Sequence, residues 1–496
     1  MTTLATTEAP QVSASKPPKP TMRFQRWMDF LGIPVAVAVF LSLYLMPAPS
    51  GLSSNAQAAL AIFMMALVLW VTQAIPVYAT ALLAMVLLIL TGAWDEEHVE
   101  SMLGQDVIWL MVCAFIMTSA MIKANLARRL ALAMVTSFSG RAKWALLSMA
   151  ILNGILAFLV PSTTARAALL LPIVVILAEV YGAVPGKSKF GASLMIQEVQ
   201  MNSIFTSGIM TATACNIMAV GFIRTLGGQQ VYYSDWLFAA FPIAALSVLA
   251  SWALGLVLFK PEHDRPMGQG LDKLRAELKG MGALTKDEWK AAFIFALTVF
   301  LWVTDRWHVA WWGFTISTAV AAIIAATLSF LPGIGLLTWK ETKIPWDLMI
   351  FSAGAYAVGL ALEGSGGAKW LLDSVFAVTG IKSMSYFGAY VSVMLISMFS
   401  HLVFTSKTVR TAIVIPIVIA LAKSMGFSPI SLALPAAFTM TWTITLPPHS
   451  KPNLIFYGTG YFTVPQMLGY GLLVCLIGVA LLIAAGPTWF TFLGLR

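Results

Sequence analysis

Three positive side chains stand where an apolar chain is least able to keep them. Arg166 lies in PSTTARAALLLP, residues 161–172, and Lys407 and Arg410 lie in TSKTVRTAIVIP, residues 405–416. Both stretches share one spacing: a serine, a threonine two places on, an arginine four places on and a proline ten places on. Over Ser162–Val174 and Ser406–Val418, seven of thirteen positions are identical. A helix that restarts at such a serine exposes N–H groups without an intrahelical partner and turns the positive end of its dipole toward the break. Such an end attracts anions. Ser162, Thr163 and Thr164 at one break, and Ser406 and Thr408 at the other, supply hydroxyls that cap the helix or donate to a carboxylate. A guanidinium suits paired hydrogen bonding to a carboxylate, whereas the Lys407 ammonium acts as a compact charge. A cation at the centre of a membrane helix costs about 2.5–3.5 kcal/mol, so three of them need a reason. Two breaks meeting near the middle of a membrane would hold the two ends of an elongated dianion.

Further polar residues follow the same repeat. Asn216 ends TATACN, and Asn453 ends PHSKPN with Lys451 two places before it. Asp106 opens DVIWLMVCAF, and Asp347 opens DLMIFSAGAY. The order is therefore an aspartate-led helix, a broken hairpin and an interrupted span with asparagine, given twice. Matched interruptions in two halves point to a transport site between them. Several roles stay open on sequence alone. Arg166 and Arg410 either touch the anion or turn away to carbonyls that end a neighbouring helix. Lys451 either faces the site or snorkels outward. Glu198 either partners a basic residue of the site or, as is favoured here, pairs with Lys187 or Lys189. His449 stands either as a proton carrier or as a hydrogen-bonding loop residue.

The elements that must position these residues are membrane helices. Hydrophobic residues make up 59% of the chain and charged ones 10%, against about 25% charged in soluble domains. Apolar runs near helix-spanning length recur, and alternating strand patterns do not. Spans are expected near 28–47, 56–75, 77–93, 106–124, 190–224, 235–259, 289–305, 309–331, 346–363, 427–458 and 466–491, with re-entrant hairpins at 144–180 and 386–422. The net charge of +9 sits mainly in short loops and the N-terminal tail, as the positive-inside rule expects, so nucleic acid is excluded as a partner. Loop charge places the N-terminus in the cytoplasm and the C-terminus outside. Residues 1–26 read as a disordered tail, 27–260 as the first repeat, 261–288 as a basic cytoplasmic linker and 289–496 as the second repeat, inverted relative to the first. The three cysteines and five histidines lack metal-ligand spacing. No nucleophile–base pair or cofactor motif appears, so an enzyme is not expected.

These residues resemble the divalent anion/sodium symporter family, over about residues 28–491. That family carries Ser-Asn-Thr motifs at two hairpin tips and Thr-Pro-Pro-Asn-like segments in two unwound spans. Ser162-Thr163-Thr164 and Ser406-Lys407-Thr408 match the tips, with Thr and Lys in place of asparagine; Asn216 and Asn453 match the unwound spans. The resemblance implies an all-α polytopic membrane protein with eleven spans, two re-entrant hairpins, a homodimer and an elevator motion in the lipid bilayer of a bacterial inner membrane. It also implies transport of small di- or tricarboxylates through Ser162, Thr163, Thr164, Arg166, Asn216, Ser406, Lys407, Thr408, Arg410, Lys451 and Asn453. Ser162, Thr163 and Asn216 would form the remaining sodium site, but losing the asparagine at both tips argues against sodium. A tethered ammonium at Lys407 would supply the missing charge, and this cation-rich site resembles the family's sodium-independent exchangers. The expectation is an anion:anion antiporter without a cofactor. The alternatives are a sodium-coupled dicarboxylate symporter, or a carrier of a sulfonate or an aromatic dicarboxylate.

Overall fold

The structure is a computed structural model and describes residues 23–138, 140–267, 270–379, 384–404 and 406–495. The tail up to residue 22 and Thr405 of the second break lie outside the described residues. Helix begins at Arg23, inside the stretch read as tail.

Among the described residues every regular element is helical. This is what lipid demands of a single chain without a closed barrel, since a helix satisfies its own backbone groups. Seven described helices are long and apolar enough to cross a bilayer, among them Ser54–Thr72, Tyr233–Leu258, Trp346–Gly364 and Val464–Phe490. Their outward faces are apolar: Leu90 is 77% exposed and Val257 78%.

The arms of the first hairpin are Ala142–Leu159 and Thr163–Val180, of 18 residues each. They reach crossing length, so length does not distinguish them from ordinary spans. The second hairpin is uneven, with arms Tyr386–Phe399 and Lys407–Ser424. The expected span 309–331 is not continuous. A short helix, His308–Trp312, ends at Gly313 with φ 77°, and helix resumes only at Thr318–Phe330. The aromatic run that reads as membrane-spanning instead stacks on itself, Trp307 on Trp311 and His308 on Trp312.

Two amphipathic helices were missed, Leu126–Phe138 and Gly367–Thr379. Each directly precedes a hairpin. The first carries Arg129, which clamps Glu288 (Nε to Oε1 2.5 Å, Nη2 to Oε2 3.0 Å) and donates to the carbonyl of Gly282 at 2.7 Å. The described residues that end the basic linker are therefore fastened to this helix. The linker holds a helix, Gly270–Gly280, and ends in a capping box between Thr285 and Glu288.

The centre of the molecule is the helix Lys189–Ser207, in which every residue from Phe190 onward is buried. It carries Gln197, Glu198, Gln200, Asn202, Ser203 and Thr206, each with no exposed surface. Polar groups this deep in a membrane protein mark function more often than stability.

Candidate substrate site

Ser162 and Ser406 are the caps that the sequence suggests. Ser162 Oγ accepts from the Ala165 N–H at 3.2 Å, and Ser406 Oγ from the Val409 N–H at 3.4 Å. Both serines are extended, with φ/ψ of −146°/113° and −112°/123°. The hydroxyls of Ser406 and Thr408 lie 3.1 Å apart. Each cap satisfies one orphan donor. The N–H groups of Thr163 and Thr164, and of Lys407 and Thr408, occupy the first turn, where no helical partner exists. Thr163 is buried and Thr164 half-buried.

The interrupted spans are built alike in both halves. After Ser207 the chain makes a 3₁₀ turn, Met210–Ala212, and restarts as Ala214–Thr225. In the second half, Pro429–Thr439 is followed by extended chain, a 3₁₀ turn at Pro447–His449 and the restart Lys451–Tyr457. The residues before the restarts, Thr213 and Ser450, have φ/ψ of −161°/151° and −159°/155°. Asn216 Nδ2 donates to the carbonyls of Thr206 and Ile209 at 2.7 and 2.9 Å. Asn453 Nδ2 donates to those of Thr443 and Leu446 at 2.7 and 2.8 Å. In both cases the acceptors lie ten and seven residues upstream. The asparagines are thus clasps that satisfy carbonyls freed by unwinding, a role that spacing alone did not reveal. The Oδ1 of Asn216 has no partner, whereas that of Asn453 accepts from the Ser450 hydroxyl at 2.6 Å.

The arginines divide their donors. Arg410 Nη2 reaches the carbonyls of Ser397 and Thr439 at 2.5 and 2.8 Å, and that of Met398 at 3.4 Å. Arg166 Nη2 reaches Thr206 Oγ1, and the Asn202 carbonyl at 3.5 Å. One side of the Arg166 guanidinium therefore stitches its arm to the neighbouring span, and one side of Arg410 ties its arm to the other arm of its own hairpin and to the span Pro429–Thr439. The Nε and Nη1 of both arginines are buried without a partner, as is the Nζ of Lys407. Five cationic donors left open in a protein interior call for an acceptor.

Lys407 interacts electrostatically with Arg166, Arg410 and Cys215, which places the two breaks within one electrostatic neighbourhood. Each return arm also packs on the other half's restarting helix: Lys407–Ser424 on Ala214–Thr225, and Thr163–Val180 on Lys451–Tyr457. Lys451 starts the latter helix but is itself exposed, so it does not share the burial of the Lys407 Nζ. The sequence expectation for Glu198 is overturned. Its Oε1 accepts from Asn153 Nδ2 at 2.8 Å and its charge acts on Arg166, with neither Lys187 nor Lys189 as partner. Glu198 is central rather than peripheral in its helix, which takes it out of reach of Lys187 and Lys189. A wide groove of about 790 Å³ runs between the first hairpin and the helix Lys286–Val303. It is lined by Phe158, Phe205, Phe241 and Phe295 and offers nothing to hold an anion.

Comparison with known proteins agrees with this architecture. Residues 27–496 match the family model described as the sodium:sulfate symporter transmembrane region. A membrane protein of Cupriavidus necator is 26% identical over 93% of both chains. The sodium-dependent dicarboxylate transporter SdcS of Staphylococcus saprophyticus is 27% identical over 92% of this chain and 90% of its own. The chloroplastic dicarboxylate transporter 1 of Spinacia oleracea is 29% identical over 91% and 79%. The solved structure of the Alcanivorax borkumensis YdaH transporter superposes with a TM-score of 0.52 at 11% identity, covering 95% of this chain and 98% of its own. That likeness speaks to the fold. The chain is a multi-pass integral membrane protein of the sodium:sulfate symporter family, a family of transporters and not of enzymes.

Proposed function

We propose that this protein is a secondary active transporter of small di- or tricarboxylates, and that it exchanges one anion for another. The observation that carries this reading is the set of unpartnered buried donors on Lys407, Arg166 and Arg410. They adjoin two helix starts whose N–H groups also lack helical partners. The names of the Staphylococcus and spinach relatives favour dicarboxylates as cargo. Fixed positive charge makes the empty carrier costly to move, because a charge crossing a membrane potential costs about 2.3 kcal/mol per 100 mV. A bound dianion offsets that charge, so loaded crossings are favoured and exchange follows. Within this reading the two halves are inverted repeats, the hairpins are re-entrant, and the site travels as an elevator in a homodimer. The protein lies in a bacterial inner membrane with its N-terminus in the cytoplasm.

A second reading has its own support. The SdcS relatives are named sodium-dependent, and Asn216 Oδ1 is a buried acceptor without a partner. Ser162, Thr163 and Asn216 would then hold sodium, and transport would be symport.

Proteoliposomes separate the two. Vesicles loaded with succinate, malate or citrate should take up the labelled anion from sodium-free medium, and empty vesicles should not. Uptake that needs sodium and no internal anion favours symport. Replacing Lys407 with Asn should weaken sodium-free exchange, and unchanged exchange removes Lys407 from the site.

A further inference from the structure

Two of the five histidines stand in the second half beside Arg410, joined through one hydroxyl. His401 Nδ1 lies 2.6 Å from the carbonyl of Met398, and its Nε2 lies 2.9 Å from Thr445 Oγ1. Thr445 Oγ1 lies 3.3 Å from His449 Nδ1. The rings meet edge to face with centroids 5.4 Å apart. His401 and Thr445 have no exposed surface, and His449 is 3% exposed.

Donor accounting fixes the direction of the chain while both rings are neutral. A carbonyl only accepts, so His401 Nδ1 carries the proton and its Nε2 is the acceptor. Thr445 must then give its single hydroxyl proton to His401. Its oxygen accepts from His449, whose proton is therefore on Nδ1. The open lone pair is His449 Nε2, which has no hydrogen bond among the described residues. The carbonyl of Met398 at the other end also accepts from Arg410 Nη2, at 3.4 Å. The chain thus runs from an unoccupied nitrogen to the arginine of the second break.

We propose that His401, Thr445 and His449 bind a proton together with the anion, so that a proton accompanies the cargo; this rests on the anion-transport reading above. A proton arriving at His449 Nε2 releases the Nδ1 proton to Thr445 Oγ1, whose own hydroxyl proton passes to His401 Nε2. His401 ends as a cation with both nitrogens protonated, and His449 ends neutral with its proton on Nε2. Thr445 keeps one proton throughout.

The charged side chain that acts on this chain is positive. Arg410, on the return arm, acts on both rings. Lys407 begins the same arm, and Lys451 begins the helix after His449. From the helix Val464–Ala485, the Cys475 thiol interacts with Arg410. The helix Pro429–Thr439 holds no titratable side chain. No carboxylate among the described residues acts on either ring. A second positive charge beside Arg410 is therefore unfavourable in the empty site and favourable once a dianion lies there. By linkage, the anion raises proton affinity and the proton raises anion affinity by the same factor.

Purified protein in weakly buffered detergent solution, mixed with succinate in the presence of a pH-sensitive dye, tests this. Binding should remove protons from solution. Thr445→Val should abolish the uptake by cutting the chain, and Thr445→Ser should keep it by retaining the hydroxyl. Succinate binding without proton uptake in the unaltered protein overturns the proposal and leaves the transport reading standing. Undiminished uptake in Thr445→Val also overturns it, because the proton then sits elsewhere. Failure to bind succinate, malate and citrate alike overturns both.

Discussion

In the first half, Arg166 has a buried carboxylate nearby, Glu198; in the second, Arg410 has two imidazoles, His401 and His449. The backbone around the two arginines is nonetheless repeated closely. The asparagine clasps span the same intervals, the serine caps accept at the same offset, and the restarts follow 3₁₀ turns of equal length. In register, His401, Thr445 and His449 of the second half stand where the first half has Ala157, Gly208 and Ala212. Lys407 stands where the first has Thr163, and Pro435 where the first has Glu198. The cage of carbonyls, clasps and caps is thus held in common, and charge is what differs. Geometry is constrained because an unwound stretch inside a membrane must find partners for every backbone group. Charge is constrained only by what the site binds.

The comparison breaks first at the clasps. Asn216→Ala and Asn453→Ala should each cost about 2–4 kcal/mol, since each removes two side-chain hydrogen bonds to carbonyls of the unwound stretch. Similar falls in detergent melting temperature are expected for the two variants. A large loss in one half alone would mean that the shared cage is structural on one side only. The next effect sharpens the difference in charge. Lys407→Thr should weaken succinate binding about 10–100-fold, the worth of one charge-assisted hydrogen bond. Adding Thr163→Lys in that background should restore part of it by moving the ammonium to the other break. If it restores nothing, the two breaks do not share a cargo. The arginines follow. Arg410→Lys should cost about 1–3 kcal/mol of stability and more than Arg166→Lys, because Arg410 Nη2 serves three carbonyls and Arg166 Nη2 one carbonyl and a hydroxyl. Equal costs would show that the unpartnered donors, not the stitched ones, set the stability. The smallest effect lies outside the shared cage. Lys423 pairs with Glu363 at 2.7 Å, half-exposed, and Lys423→Ala should change stability by less than about 1 kcal/mol.

Much of the candidate site was legible because cations and helix-breaking residues are conspicuous in an apolar background. Ser162, Arg166, Pro172 and their counterparts announced the repeat without any structure. The placement of Asn216 and Asn453 was legible, but their work as backbone clasps was not, since their acceptors are carbonyls, which every residue has. The histidine chain was hidden for a different reason. His401 and His449 lie in separate elements, and only folding brings Thr445 between them. Glu198 was misassigned to nearby lysines because sequence proximity was all that was available, whereas its partner Asn153 belongs to another helix. The run 309–331 read as one span because tryptophans count as apolar. Gly313, with its left-handed φ, was the sign that helix stops there.

The packing of each return arm on the other half's restarting helix bears on how the protein is made. The arm Thr163–Val180, which holds Arg166, finds its seat against Lys451–Tyr457, close to the C-terminus. Until the ribosome has delivered Lys451–Tyr457, the earlier-made arm waits in the bilayer with its mate not yet synthesised. Cutting the chain before Lys451 would therefore damage the hairpin of the first half.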